Sequence, residues 1–224
     1  MILYVNGDSH AAGAEAVNSF AFANDDPEYS YLGRLPHPDN IIVSYGKLLA
    51  DNLKADFYCD AESASSNNRI LRTTRKYLKE NQPDLIVIGW STWEREEVLV
   101  DGTYYQFSVG CKGIDWPSNV WDLYQQWLKG LDHKRAEQQA HDRIWQLHNE
   151  LTIPHLFFNT LHPFTTNHYD WGNSYIDPYN KDSTYYHRLL TQGFIPNNYH
   201  FDSNAHKFWA NHLTKHINEY IITT

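Results

Sequence analysis

The chain opens Met1-Ile2-Leu3-Tyr4-Val5-Asn6-Gly7-Asp8-Ser9-His10. An apolar run that stops at a Gly-Asp-Ser turn has the form of a short buried strand delivering a serine to the carboxyl edge of a parallel sheet. Open α/β sheets bind their ligands outside that edge. Three more stretches share the form: Ala55–Cys59, Leu85–Gly89 and His155–Asn159. Helical spacing fills the intervals. Ile41–Leu53 puts Tyr45, Leu48 and Leu49 on one side, and Asn68–Asn81 does the same with Ile70, Leu71, Thr74 and Leu78. Lys134–Leu151 aligns Ala140, Ile144, Leu147 and Leu151. A last helix is expected from about Ser203 to Ile221, with Phe208, Trp209, Leu213 and Ile217 inward and Asp202 or Ser203 as its cap. Strand–helix alternation of this kind predicts an α/β fold, a three-layer α/β/α sandwich around a central parallel sheet with flavodoxin-like character.

Composition narrows the function classes. With 224 residues, 42% of them hydrophobic and 20% charged, one domain with a substantial core is expected. A net charge of −9 argues against a nucleic-acid partner. No apolar run is long enough to span a membrane, and the amino end lacks a basic-then-apolar leader, so the expected location is cytoplasmic. Cys59 and Cys111 form neither a disulfide framework nor a metal knuckle. Aromatic residues make up 15% of the chain; core packing is their first use, and platforms for sugars or other flat ligands the second.

Three stretches depart from the minimal pattern and read as insertions, at about 18–40, 92–131 and 160–196. The second predicts a hairpin around Asp101-Gly102 followed by a helical piece with Trp116, Trp121 and Trp127. The last two follow strands at their carboxyl ends, so they are expected to gather over Ser9 and shape a pocket.

The far end of the chain carries a matching block, Asn197-Asn198-Tyr199-His200-Phe201-Asp202-Ser203-Asn204-Ala205-His206, leading into Lys207-Phe208-Trp209-Ala210. With Gly7-Asp8-Ser9 at the head and this block at the tail, the chain resembles the SGNH/GDSL hydrolase superfamily and is similar to phage-encoded proteins of that type. The family's closing histidine is followed by a small residue five positions on and an alanine ten positions on; His200, Ala205 and Ala210 keep that spacing. The resemblance implies Ser9 as nucleophile and His200 as its general base. An imidazole titrating near neutrality suits the task, because a serine hydroxyl attacks poorly until a base takes its proton.

The resemblance also implies an oxyanion hole built from the nucleophile's own N–H, a glycine after the second strand and an asparagine after the third. Ser65 or Ala64 stands at the glycine's place, and Ser91 stands at the asparagine's. A backbone N–H survives the first change, and a hydroxyl still donates after the second. The family aspartate three residues before the histidine is here Asn197, whose amide can accept from an imidazole N–H but brings no charge. Asp202 is the alternative partner, although its place suits a helix cap. His206 is a rival base, read as a packing residue because the small-residue spacing is kept from His200.

Asp8, Asn67, Arg69, Trp90 and Trp93 complete the expected surroundings as substrate-binding candidates, with Trp93-Glu94-Arg95-Glu96 along the rim. His212 and His216 stand at i, i+4, a spacing that can hold a metal but is read here as a solvated helix face, and His162 with His168 lacks a companion carboxylate at ligand spacing, so no metal and no cofactor are expected. The expected activity is hydrolysis of an ester, an O-acyl group on a carbohydrate or another small polar acceptor, with no nucleic-acid or membrane partner. The alternatives are a catalytically silent binding or virion-associated module on the same scaffold, and an acyltransferase.

Overall fold

The computed structural model describes residues 1–24, 32–111, 114–166 and 168–221. Strands β1 (Ile2–Asn6), β2 (Asp56–Cys59), β3 (Leu85–Trp90) and β6 (His155–Asn159) form one parallel sheet in the order β2-β1-β3-β6. These are the four expected strands, each within a residue of its expected limits. Neighbours are in register, with Leu3 opposite both Phe57 and Leu85, and Val87 opposite Leu156.

Side-chain alternation along the strands divides the core into two layers. Leu3, Val5, Leu85, Val87, Leu156 and Phe158 face one side, where α2 (Tyr45–Leu53), α6 (Tyr185–Thr191) and α7 (Ser203–His216) cover them. Tyr4, Ile86, Ile88, Trp90 and Phe157 face the other side, under α3 (Asn67–Glu80) and α5 (His133–Glu150). A sheet with both faces covered has no polar side, which is why β3 reads as an unbroken apolar run and is buried at all six positions. The architecture is the expected α/β/α sandwich.

Helix ends follow their caps. Ser44, Ser66, Asp132 and Asp202 each accept a backbone N–H in the first turn of α2, α3, α5 and α7. Asp202 therefore caps α7 by accepting from Ala205 at 3.0 Å. Helix α7 ends five residues short of the expected limit, and Ile217–Ile221 continue as a π turn.

The insertion at 92–131 forms a hairpin, β4 (Arg95–Val100) with β5 (Thr103–Ser108), reversed at Asp101 and Gly102, both with left-handed φ of 50° and 81°. Helix α4 (Ser118–Gly130) packs on it through a separate small core of Tyr105, Phe107, Trp116, Val120 and Tyr124. The insertion at 160–196 contributes Phe164, Trp171 and Tyr175 to the α3/α5 layer and contains the seven-residue α6, too short for its period to show in the sequence. In the first insertion, α1 (Pro38–Ile41) and a bridge between Phe22 and Pro36 are formed; residues 25–31 lie outside the described residues. Among the described residues no helix is long and apolar enough to cross a membrane.

Candidate active site

Gly7 sets the turn that presents the serine. A Cβ there would lie 2.6 Å from the Ala11 Cβ and 2.9 Å from the Gly89 carbonyl oxygen, so no side chain fits where the end of β1 crosses the end of β3. Beyond Gly7 the chain coils tightly, with the N–H groups of Ala12 and Ala14 donating to the carbonyls of Asp8 (3.0 Å) and Ser9 (2.9 Å). Ser9 is buried, and neither its N–H nor its hydroxyl has a partner among the described residues. It sits at the carboxyl edge of the sheet, where β1 has β2 on one side and β3 on the other. Such a switch point opens a crevice in an α/β sheet.

His200 reaches the same crevice from a two-residue turn. Asn197 and His200 exchange both backbone hydrogen bonds (2.7 and 2.8 Å), and the intervening Asn198 and Tyr199 take left-handed φ of 44° and 73°. Both central residues of a type I′ turn need φ > 0, and asparagine tolerates this at the first position. Asn197 itself is exposed, and its side chain bonds nothing among the described residues. Its described contact with His200 is through the backbone.

The carboxylate that faces the imidazole belongs to Glu15, whose Oε2 is 3.3 Å from His200 Nδ1, with the two side chains only 13% and 12% exposed. The distance is that of an ion pair, while the ring N–H is not aligned on the oxygen as a hydrogen bond. Contacts of this type are often loose before substrate arrives and tighten afterwards. Glu15 has a left-handed φ of 61°, which turns the chain at the end of the Ser9 coil. Glu15 approaches Nδ1, and Ser9 and His200 line one cavity. Sequence reasoning missed Glu15; its one visible trace is a lone acid in the small-residue run Ala11-Ala12-Gly13-Ala14-Glu15-Ala16.

Of the two positions considered for the family glycine, Ala64 has the left-handed backbone (φ 66°) and lines the cavity with Ser9. Its N–H bonds nothing among the described residues. Ser65 is fully buried behind it, and both its N–H (3.2 Å) and its hydroxyl (2.7 Å) donate to the Glu62 carbonyl. Ser65 is thus committed to its own turn, and the free donor is one residue earlier.

Asn67 clamps the end of β3. Its Oδ1 accepts from the Ser91 N–H at 2.9 Å and its Nδ2 donates to the Ser91 carbonyl at 3.0 Å. This holds Ser91, whose hydroxyl oxygen accepts from Arg95 at 2.9 Å. Asp8 turns away from solvent, taking the His10 N–H at 3.1 Å and approaching Arg95 at 3.4 Å.

The remaining expected contacts fall elsewhere. Arg69 is buried against Glu62 (2.5 Å) and the Asp60 carbonyl (2.8 Å), and Glu62 in turn accepts from the N–H groups of Gly33 and Arg34. Its charge is spent anchoring a loop rather than free for a ligand. Trp90 is fully buried in the α3/α5 layer and presents no surface. Trp93 stacks on Phe164 and lines a neighbouring cavity of about 230 Å³ that Arg95 shares but Ser9 and His200 do not.

A cavity of about 450 Å³ holds Ser9, His10, Ala64, Arg95 and His200 together. Burial, aided by the neighbouring His200 and Arg95, holds the His10 pKa well below the usual histidine range, so this ring is neutral. His206 packs on Tyr45 and accepts its backbone N–H at 3.2 Å through Nδ1; burial, with His200 adding to it, pushes its pKa down to about 3. A ring that stays neutral near pH 7 and whose Nδ1 is occupied in this way is a packing group. Among the described residues no three His, Cys, Asp or Glu side chains gather as a metal-binding group.

Comparison with known proteins adds the following. Residues 39–111 match the model of a family of unknown function, DUF6071. No curated protein sequence matches the chain. Among solved structures, an acetyl xylan esterase from the rumen bacterium Butyrivibrio proteoclasticus aligns at TM-score 0.50 and 12% identity, over 97% of this chain and 63% of that one. A carbohydrate esterase family 2 enzyme with a carbohydrate binding domain, from Corynascus thermopiles (Myceliophthora fergusii), aligns at TM-score 0.49 and 16% identity, over 97% and 65%. The esterase EstA from a Pseudoalteromonas species aligns at TM-score 0.48 and 10% identity, over 97% of each chain. The chain thus spans less than two thirds of the first two proteins. The first of these alignments agrees with the sandwich fold described above.

Proposed function

We propose that the chain is a serine ester hydrolase that removes an O-acyl group from a carbohydrate or another small polar acceptor. The observation that carries the reading is one cavity containing Ser9 and His200, with the Glu15 carboxylate 3.3 Å from Nδ1 of that histidine. Ser9 Oγ attacks the acyl carbonyl while His200 Nε2 takes its proton. Glu15 orients the ring, the work the sequence suggested for Asn197, and adds the charge that steadies the imidazolium; Asn197 instead fixes the backbone of the turn. The N–H groups of Ser9 and Ala64 receive the developing oxyanion, with the Ser91 hydroxyl as a third donor. His200 returns the proton to the departing alcohol, and water then releases the acid from Ser9 by the same exchange.

A small acyl group on a sugar is in keeping with the acetyl xylan esterase to which the chain is similar in fold. A binding module on the same scaffold is the second reading. It is favoured by Ser91, which stands where the family has a donating asparagine amide and brings a shorter side chain. Acetate release from a panel of acetylated sugars separates the two. Turnover that disappears in Ser9→Ala and His200→Ala supports the hydrolase. A folded protein that binds the panel without releasing acetate, equally well as Ser9→Ala, supports the module.

A further inference from the structure

The walls of the Ser9 cavity are largely apolar, with Val109, Ile114 and Leu161 among them, and Arg95 is the one residue with a full formal charge among its described lining. A guanidinium against such walls needs partners. Arg95 finds them on a single nitrogen: Nη1 donates to Ser91 Oγ at 2.9 Å, lies 3.4 Å from the buried Asp8 carboxylate and 3.5 Å from the Ser65 carbonyl. Those contacts hold the group in place. Nε and Nη2 bond nothing among the described residues. A guanidinium edge with two adjacent donors matches a carboxylate, which accepts both at once.

Gln106 supplies an independent polar group at the same cavity. Its Nε2 donates to the Phe107 carbonyl at 2.8 Å, which fixes the amide and leaves Oε1 buried with no partner among the described residues. The residue is 2% exposed and lines the same cavity. Buried acceptors are rarely left unpaired, and a hydroxyl on a bound substrate is one donor that would pair this oxygen.

We infer, resting on the ester-hydrolase reading of this cavity, that it selects esters carrying a carboxylate near the scissile bond, with Arg95 as the specificity-determining residue and Gln106 receiving a hydroxyl of the same substrate. The chemistry is unchanged: water cleaves the acyl–oxygen bond through Ser9, and the remote carboxylate is bound but does not react.

Two matched pairs place the charge on either side of the bond. The first is 3-acetoxybutanoate with its methyl ester, read by acetate release. The second is monomethyl succinate with dimethyl succinate, read by methanol release and corrected for the two equivalent bonds of the diester. The expected result is a kcat/KM preference of about 10-fold or more for the anion in one of the pairs, the scale of a charge-assisted hydrogen bond. In Arg95→Gln that ratio collapses towards one, and Arg95→Lys keeps part of it. Equal use of both members in both pairs overturns the inference. So does a loss in Arg95→Gln that leaves the ratio intact, since Arg95 would then serve the oxyanion or the fold.

If no ester of either pair is cleaved, the hydrolase reading fails on its own, and the inference is judged by binding. Calorimetry on Ser9→Ala then compares each anion with its neutral partner. Tighter anion binding that vanishes in Ser9→Ala/Arg95→Gln upholds it, and equal or absent binding of both overturns it.

Discussion

Replacing Glu15 by glutamine keeps the size of the side chain and removes its charge from beside His200. At 3.3 Å and an effective dielectric of about 20, a full charge pair is worth about 5 kcal/mol. The imidazolium shares its charge between two nitrogens, so about half of that acts at Nδ1, roughly 2.5 kcal/mol or about 70-fold in rate. The loss on changing a protease triad aspartate to asparagine, about 10⁴ in kcat, sets the upper end, because a glutamine can also hold the wrong tautomer. Glu15→Gln should therefore lower kcat for acetyl-ester hydrolysis by about 10² to 10⁴ with little change in KM. Asn197→Ala should lower it less than about 3-fold, since that side chain is exposed and bonds nothing described. Steady-state kinetics on the two variants, with circular dichroism to check folding, gives the answer. A Glu15→Gln loss below 5-fold, or a larger loss in Asn197→Ala, would refute the assignment of Glu15.

Three further outcomes are expected. Ala64→Gly relieves a left-handed alanine, which offsets the added freedom of the unfolded chain; urea unfolding should place its stability within about 1 kcal/mol of wild type, whereas Ala64→Val should lose more than that. Asn67→Ala removes both hydrogen bonds to the Ser91 backbone and should cost about 1 to 3 kcal/mol in the same assay, with a fall in turnover as the end of β3 loosens. His206, held to about 3 in the folded state against about 6.5 unfolded, contributes stability that is fully present above pH 6.5 and is lost as the pH falls below it. Below that point the unfolded chain takes up a proton the folded chain refuses, at about 1.4 kcal/mol per pH unit. Urea unfolding at pH 7.5 and 5.5 should show the decline, and His206→Gln should show a shallower one.

The sheet was legible because each parallel strand is buried on both faces and must be a short apolar run; Leu85–Trp90 could hardly be read otherwise. The hairpin at Asp101-Gly102 was legible because a two-residue reversal needs left-handed residues and advertises them. Ser9 and His200 were named through the resemblance to SGNH/GDSL hydrolases, and the fold brings both to one cavity. What did not stand out were groups placed by backbone conformation or by long-range contact. Glu15 arrives beside His200 from a non-periodic coil ending in a left-handed residue, a geometry that leaves no mark at fixed spacing. The choice between Ser65 and Ala64 turned on a single φ angle. Arg69 and Arg95 look alike in sequence; Glu62 and the Gly33–Arg34 backbone absorb the first, while the start of β4 delivers the second to the cavity. Asn197 held the family's position but faces solvent, because the type I′ turn fixes its backbone and leaves its amide outside.

Fluorophosphonate labelling followed by peptide mass spectrometry tests the central claim most directly. The reagent needs an activated serine and an oxyanion hole, but no knowledge of the substrate. The account predicts one adduct on Ser9 in the wild-type protein, none on that peptide in Ser9→Ala, and much slower labelling in His200→Ala and Glu15→Gln. A folded wild-type protein that remains unlabelled, or an adduct on Ser9 that forms equally fast without His200, would contradict it.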